Sequence, residues 1–364
     1  MKLISTSLFK KYLMPGFVFQ GIIIAGGYGT GRELVEYFMK YGPVGGILGM
    51  FAVTMVIWSI ILAVTFEFSR KFRAYDYRTL LLRLLGPFWV VFEILYIVLL
   101  LIVLAVVGSA AGVLLRDYFG IPYMMGVMIM LVAIGILTFK GSSLIEKFLS
   151  SWSMLIYVVY GLFLVAALIK FGPLIQKNLA SAVILPRWAL GGFKYAIYNM
   201  GVIPAVLFCV RHAESRKESL LAGLIAGIIG ILPAFLFYMA VLGHYPEVIS
   251  EEIPAVFVLQ RAEIPLLLVI FIVVLFGTLI ETGTGFIHAV NQRIQSTLQA
   301  RGKEFPNWQR PLVAAGLLLT SLGISSFGII DLIAKGYGSI SWGFFLVFII
   351  PLLTVGLYKI FKLP

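Results

Sequence analysis

The sequence predicts an all-α, polytopic membrane protein of about ten transmembrane helices, a number set by counting apolar runs against bilayer thickness. Three observations carry that prediction. Apolar residues make up 61% of the 364 residues and charged ones only 12%, with a mean hydropathy of +1.04, which excludes a soluble globular domain. Runs long enough to cross about 30 Å of hydrocarbon recur along the whole chain. None of them alternates apolar and polar residues as a lipid-facing strand does, which excludes an outer-membrane barrel. A cleavable signal peptide is not expected, because the first apolar run leads into Arg32 and Glu33 without a small-residue cleavage site.

The runs follow in order. Span one covers 14–38 and is interrupted by Ala25-Gly26-Gly27-Tyr28-Gly29-Thr30-Gly31-Arg32-Glu33. Such a density of glycine unwinds a helix, and non-helical backbone at membrane depth persists only where protein or a water-filled cavity satisfies its N–H and C=O groups. Spans two (44–66), three (88–115) and four (121–139) are continuous, and span five (152–170) opens on Ser151-Trp152-Ser153 after Lys147. Span six (193–210) contains Tyr195-Ala196-Ile197-Tyr198-Asn199-Met200-Gly201-Val202-Ile203-Pro204, a glycine and a helix-breaking proline in mid-run. Span seven (219–242) is followed by a long acidic connection, 243–264, which reads equally as a lid or as a plain connector. Span eight (265–292) places Thr278, Glu281, Thr282, Gly285 and His288 along one stripe. Span nine (311–325) is broken by Ser325-Ser326-Phe327-Gly328, leaving a short separate helix over 329–334 open, and span ten covers 340–358.

The net charge of +12 follows from topology. With the N-terminus taken as cytoplasmic, the inner side holds Lys2, Lys10, Lys11, Arg70, Lys71, Arg73, Arg78, Arg83, Lys140, Lys147, Arg211, Arg216, Lys217, Arg293, Arg301, Lys303, Arg310, Lys359 and Lys362. The outer side holds only Lys40, Arg116, Lys170, Lys177, Arg187, Lys194, Arg261 and Lys335. This asymmetry puts both termini in the cytoplasm of a bacterial inner membrane, and it assigns the basic charge to the lipid bilayer, not to nucleic acid. Cys209 stands alone, and His212, His244 and His288 form no CxxC or HExxH pattern, so no metal or redox centre is expected. Gly27-Tyr28-Gly29-Thr30-Gly31 follows a helix and lacks a glycine at 32, unlike a dinucleotide fingerprint; no P-loop motif occurs either. Glu281 with His288 is too thin a basis for an intramembrane enzyme. Oligomeric state is not legible at this level.

Spans one to five and six to ten start at similar offsets, and each half has an odd number of crossings. That predicts an inverted repeat, about 13–170 and 190–358, within a single domain. Interruptions at matching places in spans one and six agree with it, although glycine and proline also serve kinks and close packing in membrane helices. Gly26-Gly27-Tyr28-Gly29-Thr30-Gly31-Arg32-Glu33-Leu34-Val35-Glu36, with Glu281-Thr282-Gly283-Thr284-Gly285 in span eight, resembles the LeuT-type fold of the amino acid, polyamine and organocation transporter superfamily. Over nearly its whole length the chain more closely resembles the YkvI family of bacterial amino acid permeases. The resemblance implies five plus five helices, a substrate held between broken spans one and six, and often a cation between spans one and eight. It does not carry a substrate identity.

An interrupted span one offers opposite poles. Carbonyls around Ile24 and Ala25 suit a cation, and amides from Thr30 to Glu33 suit a carboxylate, so one segment can read both ends of a zwitterion. The candidate substrate site is Gly26, Gly27, Tyr28, Gly29, Thr30, Gly31, Arg32, Tyr198, Asn199 and Gly201. The candidates for ion or proton coupling are Ala25, Glu33, Glu36, Thr278, Glu281 and Thr282. Arg32 is either a carboxylate anchor or the partner of Glu36 at i, i+4, and the cluster is either buried or in an outer vestibule. Glu281 is a cation ligand, a proton carrier or a structural acid, and a charge at that depth costs about 2.5–3.5 kcal/mol. Span five has no internal lysine to replace a sodium ion, and its opening serines fit an oxygen-lined sodium site. Met200, Cys209 and His288 read as packing residues. The expectation is a secondary active transporter of a small zwitterionic solute, an amino acid, with sodium as the possible bound ion or a proton in its place. Spans one, two, six and seven would rock against a scaffold that includes three and eight. The alternative is a channel or a ligand sensor that keeps the fold.

Overall fold

The computed structural model describes residues 7–24, 26–139, 142–299, 302–306 and 308–362, and these residues are helical with short turns between. Among the described residues six helices are long and apolar enough to cross a membrane: Pro43–Phe72, Tyr77–Phe119, Leu155–Ala180, Arg216–Leu242, Pro265–Gln299 and Gln309–Lys362. Span one is instead three short pieces, Met14–Ile23, Gly26–Gly29 and Arg32–Tyr37. Span four is Tyr123–Phe139, and span six is an α-helix over Trp188–Asn199 that tightens into 3-10 turns over Met200–Ala205 and Leu207–His212.

Several spans outrun the apolar runs that announce them. Span two continues to Phe72 because Glu67, which closes the apolar run, is bonded by Arg70 through Nε and Nη2 (both 2.8 Å) and by the Ser219 hydroxyl (2.6 Å). Span seven starts at Arg216 on a capping box between Ser215 and Glu218. Residues 329–334 do not form a separate helix. They are the beginning of span ten, which turns the corner at Gly328 (φ 77°) and runs as α and π turns to Lys362. The Ser325 carbonyl at that corner accepts from Tyr123 (2.8 Å) and Ser109 (3.3 Å), which pins it against spans three and four.

Span three is the axis of the scaffold, its side chains buried on all sides from Val103 to Leu114. Other spans bury one face and expose an apolar stripe at helical spacing, such as Leu224, Ile228, Leu232 and Leu236 on span seven or Val158, Leu162, Val165 and Ile169 on span five. In water those stripes would be unstable; in lipid they are the expected outer surface, and the chain is a membrane protein. Span seven lies along span two so closely that a Cβ on Gly223 or Gly227 would strike the backbone of Ala63 or Ser59. Neighbour pairs recur between the halves: one with seven and six with two, three with nine and eight with four, five with seven and ten with two.

Loops that share a side by the charge count also meet in space. On one face Lys11 reaches Glu214 (2.9 Å) and Glu218 (3.0 Å), Lys71 donates to the Ile360 carbonyl (2.8 Å), and Arg293 pairs with Glu93 (3.3 Å). On the other, Leu185 N–H donates to the Tyr41 carbonyl (2.8 Å), Asn178 to the Leu242 carbonyl (2.8 Å), and Arg116 pairs with Glu252 (2.7 Å).

Candidate functional site

Span one breaks in two places, and the glycines lie between them. Ile24 leaves the helix with ψ 74°, Gly26–Gly29 forms one isolated turn, and the chain breaks again at Gly31, whose φ of 81° only glycine adopts without strain. Gly26–Gly29 packs against spans three and eight. Gly29 is glycine for a steric reason: a Cβ there would occupy the place of the Tyr160 hydroxyl. Ala25 lies outside the described residues.

Past the second break the polar groups are claimed by the protein. The Thr30 hydroxyl accepts the Arg32 amide (3.1 Å), and the Thr30 carbonyl accepts the amide of Ala255 (3.1 Å). The 243–264 connection is therefore a structured cover, with turns over Glu247–Ser250 and a helix over Pro254–Ala262 seated on the break. Arg32 is 2% exposed and donates through Nη1 to the carbonyls of Ile249 (2.7 Å) and Glu251 (2.9 Å), and through Nη2 to Glu36 (3.1 Å). Glu36 is also bonded by Lys40. The i, i+4 pair is present, and the two terminal nitrogens of the guanidinium serve the cover and Glu36, while the buried Nε has no partner among the described residues. Arg32, Glu33 and Glu36 are all buried beneath it, with no outer vestibule around them. In the cover itself, burial pushes the Glu251 carboxyl above its ordinary value, with Arg261 opposing.

Glu33 has different company. Tyr198 of span six donates a hydrogen bond to its carboxylate, so the interruptions of spans one and six meet directly. The Tyr198 ring stacks on Tyr337 of span ten (4.8 Å between centroids) and lies 5.6 Å from Tyr195 and 5.7 Å from Tyr37. The hydroxyls of Tyr28, Tyr37, Tyr195 and Tyr337 all lie within electrostatic reach of Glu33. Those of Tyr28, Tyr195 and Tyr160 are buried without a hydrogen-bond partner among the described residues.

On the other side of the first break is a cavity of about 300 Å³, lined by Gly21, Ile22 and Ile24 of span one, Tyr96 of span three, Ala205 of span six, and Glu281, Thr282, Gly285, Phe286 and Ala289 of span eight. It extends along spans one and eight toward the face that carries the termini. Behind the Tyr96 wall, Arg293 stacks on Tyr96 (3.5 Å) and Tyr77 (4.2 Å) and pairs with Glu93. Glu281 and Thr282 are thus brought to the open end of the first half of span one.

The remaining candidates are placed elsewhere. Thr278 donates to the Val274 carbonyl (2.7 Å) and Asn199 to the Tyr195 carbonyl (2.9 Å), both within their own helices. Gly201 admits the Phe344 ring, whose Cζ would be 2.7 Å from a Cβ there. The side chains of Lys147, Ser151 and Ser153 lie outside the described residues; Trp152 between them donates to the Val274 carbonyl (3.1 Å). Sequence reasoning missed Tyr37, Tyr160, Tyr195 and Tyr337. Only the Tyr195/Tyr198 spacing on one helical face hinted at the ring around Glu33, because Tyr337 reaches it from the far end of the chain.

No protein-family model matches the chain. It is 25% identical over 338 residues to the "Uncharacterized membrane protein YkvI" of Bacillus subtilis (strain 168), covering 88% of this chain and 89% of that one. Among solved structures it is similar to MhsT in complex with L-phenylalanine, with a TM-score of 0.55 at 12% identity over 96% of this chain and 97% of that one. A Na+-coupled sialic acid symporter gives a TM-score of 0.53 at 12% identity, over 96% and 87%. A manganese transporter of Eremococcus coleocola gives 0.51 at 15%, over 96% and 79%. The chain therefore has the LeuT-type fold of these transporters, and the proteins it resembles are membrane transporters and a membrane protein, not enzymes.

Proposed function

We propose that the protein is a secondary active transporter of a small zwitterionic solute, an amino acid in the first instance, driven by a sodium or proton gradient through alternating access. One observation carries the reading: the interruptions of spans one and six touch through Tyr198 and Glu33, with a cover on one side and a cavity on the other. The arrangement is closed at the cover and leaves a cavity on the far side of the first break, as one end state of a rocking cycle would. The cavity supplies the cation pole. The carbonyl end at Ile24 together with Glu281 and Thr282 offers the oxygen ligands a sodium ion requires. Gly26, Gly27, Tyr28, Gly29, Thr30 and Gly31 form the substrate wall, and Arg32 holds the cover over it. The recurring neighbour pairs support the two inverted repeats, about 13–170 and 190–358, in a single domain. The charge count supports termini in the cytoplasm at a bacterial inner membrane and a cover on the outside. The neighbours described as Na+-coupled or bound to L-phenylalanine point the same way.

The test is uptake of labelled amino acids into proteoliposomes under imposed sodium or pH gradients. Accumulation above the external concentration that collapses with the gradient is expected, and Glu281→Gln should abolish a gradient dependence seated in the cavity. Binding without accumulation would make the protein a sensor, and current without solute a channel; either outcome overturns the proposal.

A further inference from the structure

The buried acids of this protein are not treated alike. Glu36 is neutralised by Arg32 and Lys40, Glu67 by Arg70 with Ser219 added, and the half-buried Glu93 by Arg293. Glu33 is 5% exposed, and among the described residues no lysine, arginine or histidine nitrogen lies within 4.0 Å of its carboxylate. Its hydrogen-bond donor is the Tyr198 hydroxyl. Its surroundings are tyrosine rings from spans one, six and ten, packed at centroid separations of 4.8–5.9 Å. The charged groups on elements packed against this turn are otherwise occupied or distant from the carboxylate. On its own helix, Arg32 serves the cover and Glu36. On the cover stand Glu247 and Glu251, both acidic. On span six Lys194 lies beside Gly338, and on span ten Asp331 and Lys335 pair with each other at 2.9 Å.

An ionised carboxylate sealed in apolar surroundings without a counter-charge costs several kcal/mol, so the group either takes a cation or takes a proton. A metal ion or an ammonium group needs volume between the rings; a proton needs none. We infer that Glu33 carries the coupling proton, neutral while it is sealed among the rings and free to ionise only when water reaches it, by lifting of the cover or by opening toward the cavity. The device is local. Arg32, the residue that clamps the cover through two carbonyls, immediately precedes Glu33 on the same one-and-a-half-turn helix, so lifting the cover and wetting Glu33 are one motion. With the cover lifted, hydronium protonates the carboxylate and leaves water. Closure carries the neutral acid inward, and when the site opens toward the cavity the acid returns its proton to water. This rests on the transporter reading above and names the ion it left open.

The test needs no cargo. Infrared spectra of the purified full-length protein, recorded at neutral pH with sodium or potassium, report the carbonyl stretch of a protonated carboxylic acid directly. The expected result is a band present in the wild type with either salt and lost in Glu33→Gln. A wild type without the band at neutral pH, or a band that Glu33→Gln leaves intact, overturns the inference. Should Glu33→Gln fail to fold, Tyr198→Phe decides: deleting the hydroxyl that bonds the carboxyl shifts the band to higher frequency without removing it, and an unshifted band overturns the assignment. Failure of the transporter reading would show as absent flux with the band retained, so the two failures are distinguishable.

Discussion

Replacing Arg32 by methionine keeps a long buried side chain and removes the donors that hold the cover. Two bonds are lost, to the Ile249 carbonyl at 2.7 Å and the Glu251 carbonyl at 2.9 Å, both made by a charged group that is 2% exposed. Hydrogen bonds to charged groups contribute about 1.5–3 kcal/mol each, so the cover loses about 3 kcal/mol at the low end. Glu36 keeps Lys40, so the helix that carries Arg32 retains its own ion pair. A loss of about 3 kcal/mol multiplies the open population by about a hundredfold. Amide hydrogen exchange reads it out locally, and the Ala255 amide is the reporter because it bonds across the gap to the Thr30 carbonyl. Exchange at Ala255 and Val256 should accelerate by about that factor while span three is unchanged. An Ala255 amide that exchanges no faster in Arg32→Met would refute the claim that the guanidinium holds the cover down.

Three further outcomes follow from the same geometry. Tyr238→Phe deletes a buried hydroxyl that donates to the Pro43 carbonyl at 2.8 Å, and the stranded carbonyl should lower stability by about 1–3 kcal/mol, measured by thermal unfolding in detergent. Gly223→Val drives side-chain atoms into the Ala63 backbone and should cost about 1–3 kcal/mol or more by forcing spans two and seven apart, seen in the same assay; an unchanged melting temperature would mean the helices are not in contact there. His244, outside the spans and packed on Phe171 (4.4 Å) and Phe257 (5.6 Å), is held below the ordinary imidazole value of 6.5 by burial first and by Arg261 second. Its folded form binds the proton less readily than the unfolded one, so its contribution to the cover is fully present above pH 6.5 and is lost as pH falls below that toward the folded value. Exchange protection over 244–262, taken relative to the intrinsic rate at each pH, should therefore fall on acidification, and His244→Leu should flatten the fall.

The periodic, chemically simple features were readable from the chain. Apolar run lengths found a polytopic helical membrane protein, glycine density found the interruption of span one, Gly201 and Pro204 marked the change in span six, and the basic residues sorted the loops into two sets whose members meet in space. Even the Arg32–Glu36 pair followed from i, i+4 spacing. Where a charge stood at the end of an apolar run, as at Glu67, the reading stopped too early, because the partners that neutralise it include a serine from span seven. The place of residues 329–334 stayed open for a related reason: the Ser325 corner is held by hydroxyls of spans three and four, which lie far away in sequence.

Periodicity and composition are properties of neighbours along the chain, and they determined that this is a helical membrane protein broken within its first span. Which groups answer each broken end depends on residues brought together from spans one, six, eight and ten and from the cover. Only the packed structure could decide that Arg32 faces the cover, that Glu281 faces a cavity and that Glu33 stands among tyrosines with no counter-charge among the described residues. A charge's role is set by what surrounds it in three dimensions, and neither its burial nor its long-range partners are encoded in a local stretch of sequence.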